Sequence, residues 1–182
     1  MQFLSPRLVP KEDVVRQFLR VERKRLKRFD TLRADFQERI NAFVAEQQEP
    51  AEKILADYLD AVHDQDNPVG TWLLRRSEQI AHWIYVGELP FWLLYSPRVN
   101  KDLNAALTSA GGNVAKFATE YADHFPDQFP DRGRLPESLD QILIGVADHR
   151  NDRVEVLDGF HRAVELIRSG AVSGPVFVAE TQ

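Results

Sequence analysis

The chain has 182 residues, 43% hydrophobic and 28% charged, with a net charge of −5 and no cysteine. That length and hydrophobic content suit one domain with an appendage rather than two full domains. The missing thiols exclude a disulfide framework and any thiolate zinc site, the negative balance does not mark a general nucleic-acid binder, and no apolar run approaches the ~20 residues of a membrane span.

Met1 is followed by no basic stretch and no long apolar run, so no signal peptide is expected and the chain reads as cytoplasmic. Residues 11–48 predict helix, with Pro10 at the first position. Val14, Val15, Phe18 and Leu19 begin an apolar stripe that Phe29, Leu32, Phe36, Ile40 and Phe43 continue, with a bend expected near Phe29-Asp30. Pro50 ends this element, and Ile54, Leu55, Tyr58, Leu59 and Val62 give a shorter helix its face. The first helix also carries a basic run, Arg16, Arg20, Arg23, Lys24, Arg25, Lys27 and Arg28, against one acid, Glu22. Arg20, Arg23, Lys24 and Lys27 could hold phosphates of DNA or an acidic partner. The plainer reading is a solvated face balancing the acidic tract 46–66, and the lack of interleaved aromatics favours it over single-strand binding.

Residues 64–70 form a polar turn, and residues 71–95 are rich in aromatics: Trp72, Trp83, Tyr85, Phe91, Trp92 and Tyr95. Strands are expected at 84–86 and 91–94, broken by Gly87 and Pro90, and their aromatics should fill a core rather than stack on bases. Residues 102–121 read as helix, weak at Gly111-Gly112, and 123–136 as a proline-rich loop. A strand at 142–146 leads into a polar hairpin at 148–152.

The most informative segment follows. Val154 and Val156 predict a strand, Asp158-Gly159 breaks it, and Phe160, Ala163, Val164 and Ile167 fall on one helix face that Gly170 stops. Residues 175–178 then read as a buried strand. A strand, tight turn and helix in that order aim free N–H groups and the positive end of a helix dipole at one point. His161 and Arg162 add donors there, one permanently charged, so the turn is a candidate phosphate pocket. His161, Glu165 and Arg168 share a face that could present further polar groups to a ligand. A purely structural reading of the same residues also stands: Asp158 caps the helix, and Arg162 and Arg168 form ordinary ion pairs.

The run Asp158-Gly159-Phe160-His161-Arg162-Ala163 between two hydrophobic strands resembles the nucleotide-binding motif of the ParB/sulfiredoxin superfamily. The strand at 142–146 looks like the partner strand of that motif, and Ser96-Pro97-Arg98 followed by helix is similar to the Gln-Pro-Arg segment of ParB. Phe160 stands where sulfiredoxin needs its catalytic cysteine, so sulfinic-acid repair is excluded. The chain ends at Gln182 with no helix-turn-helix after the last strand, so centromere binding of the ParB kind is not expected. The layout is similar to the plasmid fertility-inhibition factors, the group containing the oncogenic suppression activity protein.

The resemblance implies an α/β (α+β) fold: a small mixed sheet of ParB/sulfiredoxin type over 71–182, preceded by an N-terminal helical layer over 1–70. It implies ATP or a related nucleotide with Mg²⁺, phosphoester hydrolysis in ATP, DNA or both, and inhibition of conjugative plasmid or T-DNA transfer. Gly159, His161, Arg162 and Glu165 would hold the nucleotide, and Asp158 the metal, with Glu165 and Glu137 as alternative carboxylates for it. Asp158, His161, Arg162 and Glu137 would carry catalysis. Two other functions fit the same residues: a non-catalytic inhibitor docking on a secretion or transfer machine through the basic helix, and a small-molecule kinase. The basic helix and the nucleotide turn are far apart in sequence and are expected to act separately.

Overall fold

The computed structural model describes residues 3–46, 48–129 and 141–182. Its architecture follows from two-residue alternation in the strands. Successive strand side chains point to opposite sides, so a strand apolar at every position must be covered on both faces. In β2 (Ile80–Pro90), Ile84 and Val86 enter one core while Trp83 and Tyr85 enter the other. In β6 (Ser173–Thr181), Val176 and Val178 enter the first, and Phe177 and Ala179 the second. The result is a mixed α/β fold with a helical layer on each side of the sheet.

The remaining strands are β1 (Arg7–Val9), β3 (Leu94–Tyr95), β4 (Leu143–Asp148) and β5 (Arg153–Asp158). Together the described strands make one six-stranded sheet in the order β1-β2-β6-β4-β5-β3. It is mixed: β4 runs parallel to β6 and β3 parallel to β5, while the other neighbours are antiparallel. The strand expected at 142–146 is therefore β4, and it pairs with β5 as anticipated. The polar hairpin between them closes on Asp148, whose Oδ2 accepts from Asn151 Nδ2 at 2.7 Å and Arg153 Nε at 3.2 Å.

The helices α1 (Lys11–Lys24), α2 (Leu26–Phe29), α3 (Ala34–Val44) and α4 (Ala51–Ala61), with the short α5 (Pro68–Gly70), belong to one layer. Phe18, Ile40, Phe43, Ile54 and Tyr58 from these helices share a core with Ile144, Val146 and Phe177 of the sheet. The opposite layer contains α6 (Lys101–Ser109), α7 (Val114–Glu120) and α8 (Phe160–Arg168). Phe117 of α7 is the centre of that core, with Phe125, Phe129 and Phe160 ring centroids 6.2, 6.0 and 5.3 Å away.

Several expectations are corrected. The helix expected over 11–48 is interrupted between Phe29 and Ala34, at the expected bend, and once more at Arg25, whose ψ of 67° is outside the helical range. The helix over 102–121 divides into α6 and α7 because Gly111 and Gly112 both take positive φ. The strand expected at 91–94 is a 3₁₀ turn over Phe91–Leu93 before the short β3, since Pro90 ends β2. Trp83 and Phe91 are core residues as expected, but Trp92 is 63% exposed. The N-terminal layer also supplies a strand, β1, which the sequence pattern did not announce; it is three residues long and Leu8 within it is exposed.

Candidate functional site

The turn after β5 has the predicted form. Gly159 takes φ 101° and ψ 18°, and α8 starts at the next residue. A left-handed residue of this kind is cheap only for glycine. Space makes the same demand: a Cβ on Gly159 would lie 2.6 Å from Leu143 Cδ2 and 2.7 Å from Arg162 Nη2. The Arg162 guanidinium thus lies against the bare glycine and donates to Asp158 Oδ2 at 2.5 Å. Both side chains are largely buried, so Asp158 fixes Arg162 across one turn of helix.

Around this turn lies a cleft of about 350 Å³. Its walls come from five places in the chain: Val21 and Arg25 at the end of α1, Pro68 of α5, residues 96–100 before α6, the end of β5, and residues 159–162 opening α8. Arg25, Arg98 and Arg162 line it, against Asp158 as the single carboxylate among the described lining residues. Gly159 offers α8 no capping side chain, and the first turn of a helix has no intrahelical acceptor for its N–H groups. Positive charge and open donors therefore meet in one concavity.

Ser96-Pro97-Arg98 reaches the same cleft. Ser96 is buried, its N–H bonds to Gly112 O at 2.9 Å, and its hydroxyl donates to Arg98 O at 2.8 Å. Asn100 caps α6 by accepting from Leu103 N–H at 3.1 Å, which holds the loop over the turn. Among the described residues the Arg98 side chain has no carboxylate partner, and it is exposed to the cleft.

His161 has an exposed edge, yet its ring lies on Phe129, with centroids 5.1 Å apart and planes at 24°. Its Nε2 is 3.4 Å from Gln128 Oε1. Partial desolvation, and then the charge of Arg25, lower its pKa from the ordinary imidazole value, so neutral His161 is favoured near pH 7.

The structure also separates residues that the sequence grouped. Phe160 is buried, as its place on the apolar face predicts, and its ring lies against Phe117. Glu165 lies one turn further along α8, outside the cleft lining; burial raises its pKa although Arg162 and Arg168 oppose this. Arg168 is spent on structure, donating to Phe129 O at 2.7 Å and Asp123 Oδ1 at 2.6 Å. Neither belongs to the ligand face expected from helical spacing. Glu137 lies outside the described residues.

The basic run is mostly absorbed internally. Arg16 bonds Asp13 and Phe43 O, Arg20 donates to Gln17, Arg23 to Asn41, and Arg28 to Asp64 at 2.6 Å. Lys24 is exposed, and the Lys27 side chain lies outside the described residues. The expected independence of this helix from the turn is corrected by Arg25. Its Nη1 is 2.6 Å from Glu22 Oε1 and its Nη2 is 3.7 Å from Asp158 Oδ1. Glu22 itself is buried and accepts from the Tyr58 hydroxyl at 2.5 Å. Burial, and then that bond to a carboxylate, raise the Tyr58 pKa far above the ordinary phenol value.

Compared with known proteins, the chain matches no family model, no curated protein and no solved structure.

Proposed function

We propose that the cleft binds the phosphates of a nucleotide, ATP or a close relative, and that the chain is a phosphohydrolase of ParB/sulfiredoxin type acting in the cytoplasm. The observation that carries this reading is the convergence of Arg25, Arg98, Arg162 and His161 on the uncapped start of α8, beside a glycine that leaves no Cβ in the way. Backbone donors and guanidinium groups in one pocket recognise phosphate oxygens by geometry as well as charge. In hydrolysis, a water oxygen forms the new bond to phosphorus while the bond to the leaving oxygen breaks. Neutral His161 takes the water proton and returns it to solvent or to the leaving group, and Arg162 and Arg98 stabilise the charge gathering on the phosphoryl oxygens.

The described residues do not fit the expected Mg²⁺ site. Asp158 directs Oδ2 to Arg162 and Oδ1 towards Arg25, so the carboxylate that would hold the ion is turned to cationic side chains instead. Asp158 is a positioning residue for Arg162 in this mechanism, and no step passes through a metal.

The biological setting that accompanies the resemblance is inhibition of conjugative plasmid or T-DNA transfer, with nuclease action on DNA as one form of the hydrolysis. A second reading, a non-catalytic inhibitor, is favoured by one observation: Asp158, the carboxylate among the described residues lining the cleft, is already engaged by arginine and is not poised to activate water. Phosphate release from ATP by the full chain and by Arg162→Ala separates the two. The proposal expects turnover that the variant loses. Binding without turnover in the full chain would favour the non-catalytic module, and absence of both would remove the cleft as a nucleotide site.

A further inference from the structure

Arg25 comes from the basic run yet lines the cleft, and the way it is held is unusual. Its guanidinium has a carboxylate on either side, one in a close ion pair and one beyond hydrogen-bond reach. Glu22 Oε1, 2.6 Å from Nη1, is a buried oxygen that receives no aligned hydrogen bond. Asp158 Oδ1, 3.7 Å from Nη2, is beyond hydrogen-bond reach. The Arg25 side chain is 53% exposed, against 13% for Arg162, so it can move without giving up a buried position. If it moves, Glu22 keeps the Tyr58 hydroxyl and Arg28 Nη1, at 2.5 and 3.4 Å, on Oε2, while Oε1 gives up its ion pair to Arg25, a cost that the ligand phosphate must offset. The charge of Arg25 already reaches the cleft, where it helps to lower the His161 pKa.

Resting on the phosphate-binding reading above, we infer that Arg25 is a ligand-binding residue that selects a di- or triphosphate over a monophosphate. One phosphate at the start of α8 is satisfied by backbone N–H groups, His161 and Arg162. Arg25 and Arg98 lie on the other walls of the cleft, and only a ligand with a second phosphate supplies acceptors for them. The site is thus composite: its inner half comes from α8, and its outer clamp comes from the end of α1.

Calorimetry with inorganic pyrophosphate and with orthophosphate, on the full chain, tests this. Arg25→Gln is expected to weaken pyrophosphate binding about ten-fold or more and orthophosphate binding less than about two-fold. Arg25→Lys, which keeps the charge, should lose less than Arg25→Gln. Arg23→Gln should change neither ligand, since Arg23 bonds Asn41 instead. Arg162→Ala should weaken both ligands. Thermal melts of each variant establish that the fold is intact. Unchanged pyrophosphate affinity in Arg25→Gln, with a loss in Arg162→Ala, would overturn the role of Arg25 and leave the cleft standing. Equal loss of both ligands in Arg25→Gln would overturn the selectivity. No binding by the parent chain, or equal binding by Arg162→Ala, would remove the cleft reading and the Arg25 inference with it.

Discussion

Two glycines of almost equal φ give the sharpest test of how the turn is built. Gly159 has φ 101° and Gly170 has φ 98°. Forcing a side chain into the left-handed region costs about 1–2 kcal/mol, while the stiffer unfolded chain returns about 0.4–1 kcal/mol. Nothing lies within 4 Å of a Cβ built on Gly170, so Gly170→Ala should cost only about 1 kcal/mol of stability. At Gly159 the same Cβ meets Leu143 at 2.6 Å and the Arg162 guanidinium at 2.7 Å. Overpacking adds about 1–3 kcal/mol, so Gly159→Ala should cost about 2–4 kcal/mol in all. Arg162 must also shift from Asp158, so anion affinity should fall with stability in this variant and not in the other. Urea unfolding of both variants, with m-values compared, measures the difference. Equal costs at the two positions would refute the claim that Gly159 is reserved for the close approach of Arg162.

Other perturbations probe neighbouring parts of the account. Phe160→Ala should cost about 3 kcal/mol in chemical denaturation, because the ring is buried on Phe117, and a cost below about 1 kcal/mol would contradict its core role. The lowered pKa of His161 means that the unfolded chain binds its proton more readily than the folded chain. Stability should therefore fall as pH drops through the ordinary imidazole value near 6.5 towards the lower folded value, and His161→Gln should flatten that slope; an unchanged slope would argue against it. An anion in the cleft should reverse that preference, so sulfate binding should tighten over the same range in the parent chain and not in His161→Gln. Reversing Arg23, Lys24 and Lys27 to Glu should leave DNA affinity unchanged in a salt titration, while a large loss with a reduced salt slope would make α1 a nucleic-acid surface.

The local half of the candidate site was legible in the sequence, and the composite half was not. Asp158-Gly159 punctuation, the apolar spacing of Phe160, Ala163 and Val164, and the β-branched runs around them located β5, α8 and β6 because those signals are set by neighbours in the chain. Helical spacing grouped Glu165 and Arg168 with His161, but tertiary partners decided otherwise: Arg168 turns to Asp123 and Phe129. The approach of Arg25 to Asp158 had no local signal, since it depends on how α1 packs across the sheet from the opposite layer. The break at Arg25 and the three-residue β1 were similarly hidden, one being a change of backbone angle within a polar run and the other too short to show alternation. Ser96 and Arg98, far from the turn in sequence, line the same cleft because the fold brings the segment before α6 over α8.

The central claim is that one phosphate-binding cleft is assembled from both helical layers. A crystal structure of the full chain soaked with ATP tests it most directly. The account predicts phosphate density at the start of α8, with Arg162 and Arg98 on its oxygens and Arg25 drawn away from Glu22. Density at another surface, or phosphates that leave Arg162 and the α8 N–H groups untouched, would contradict it.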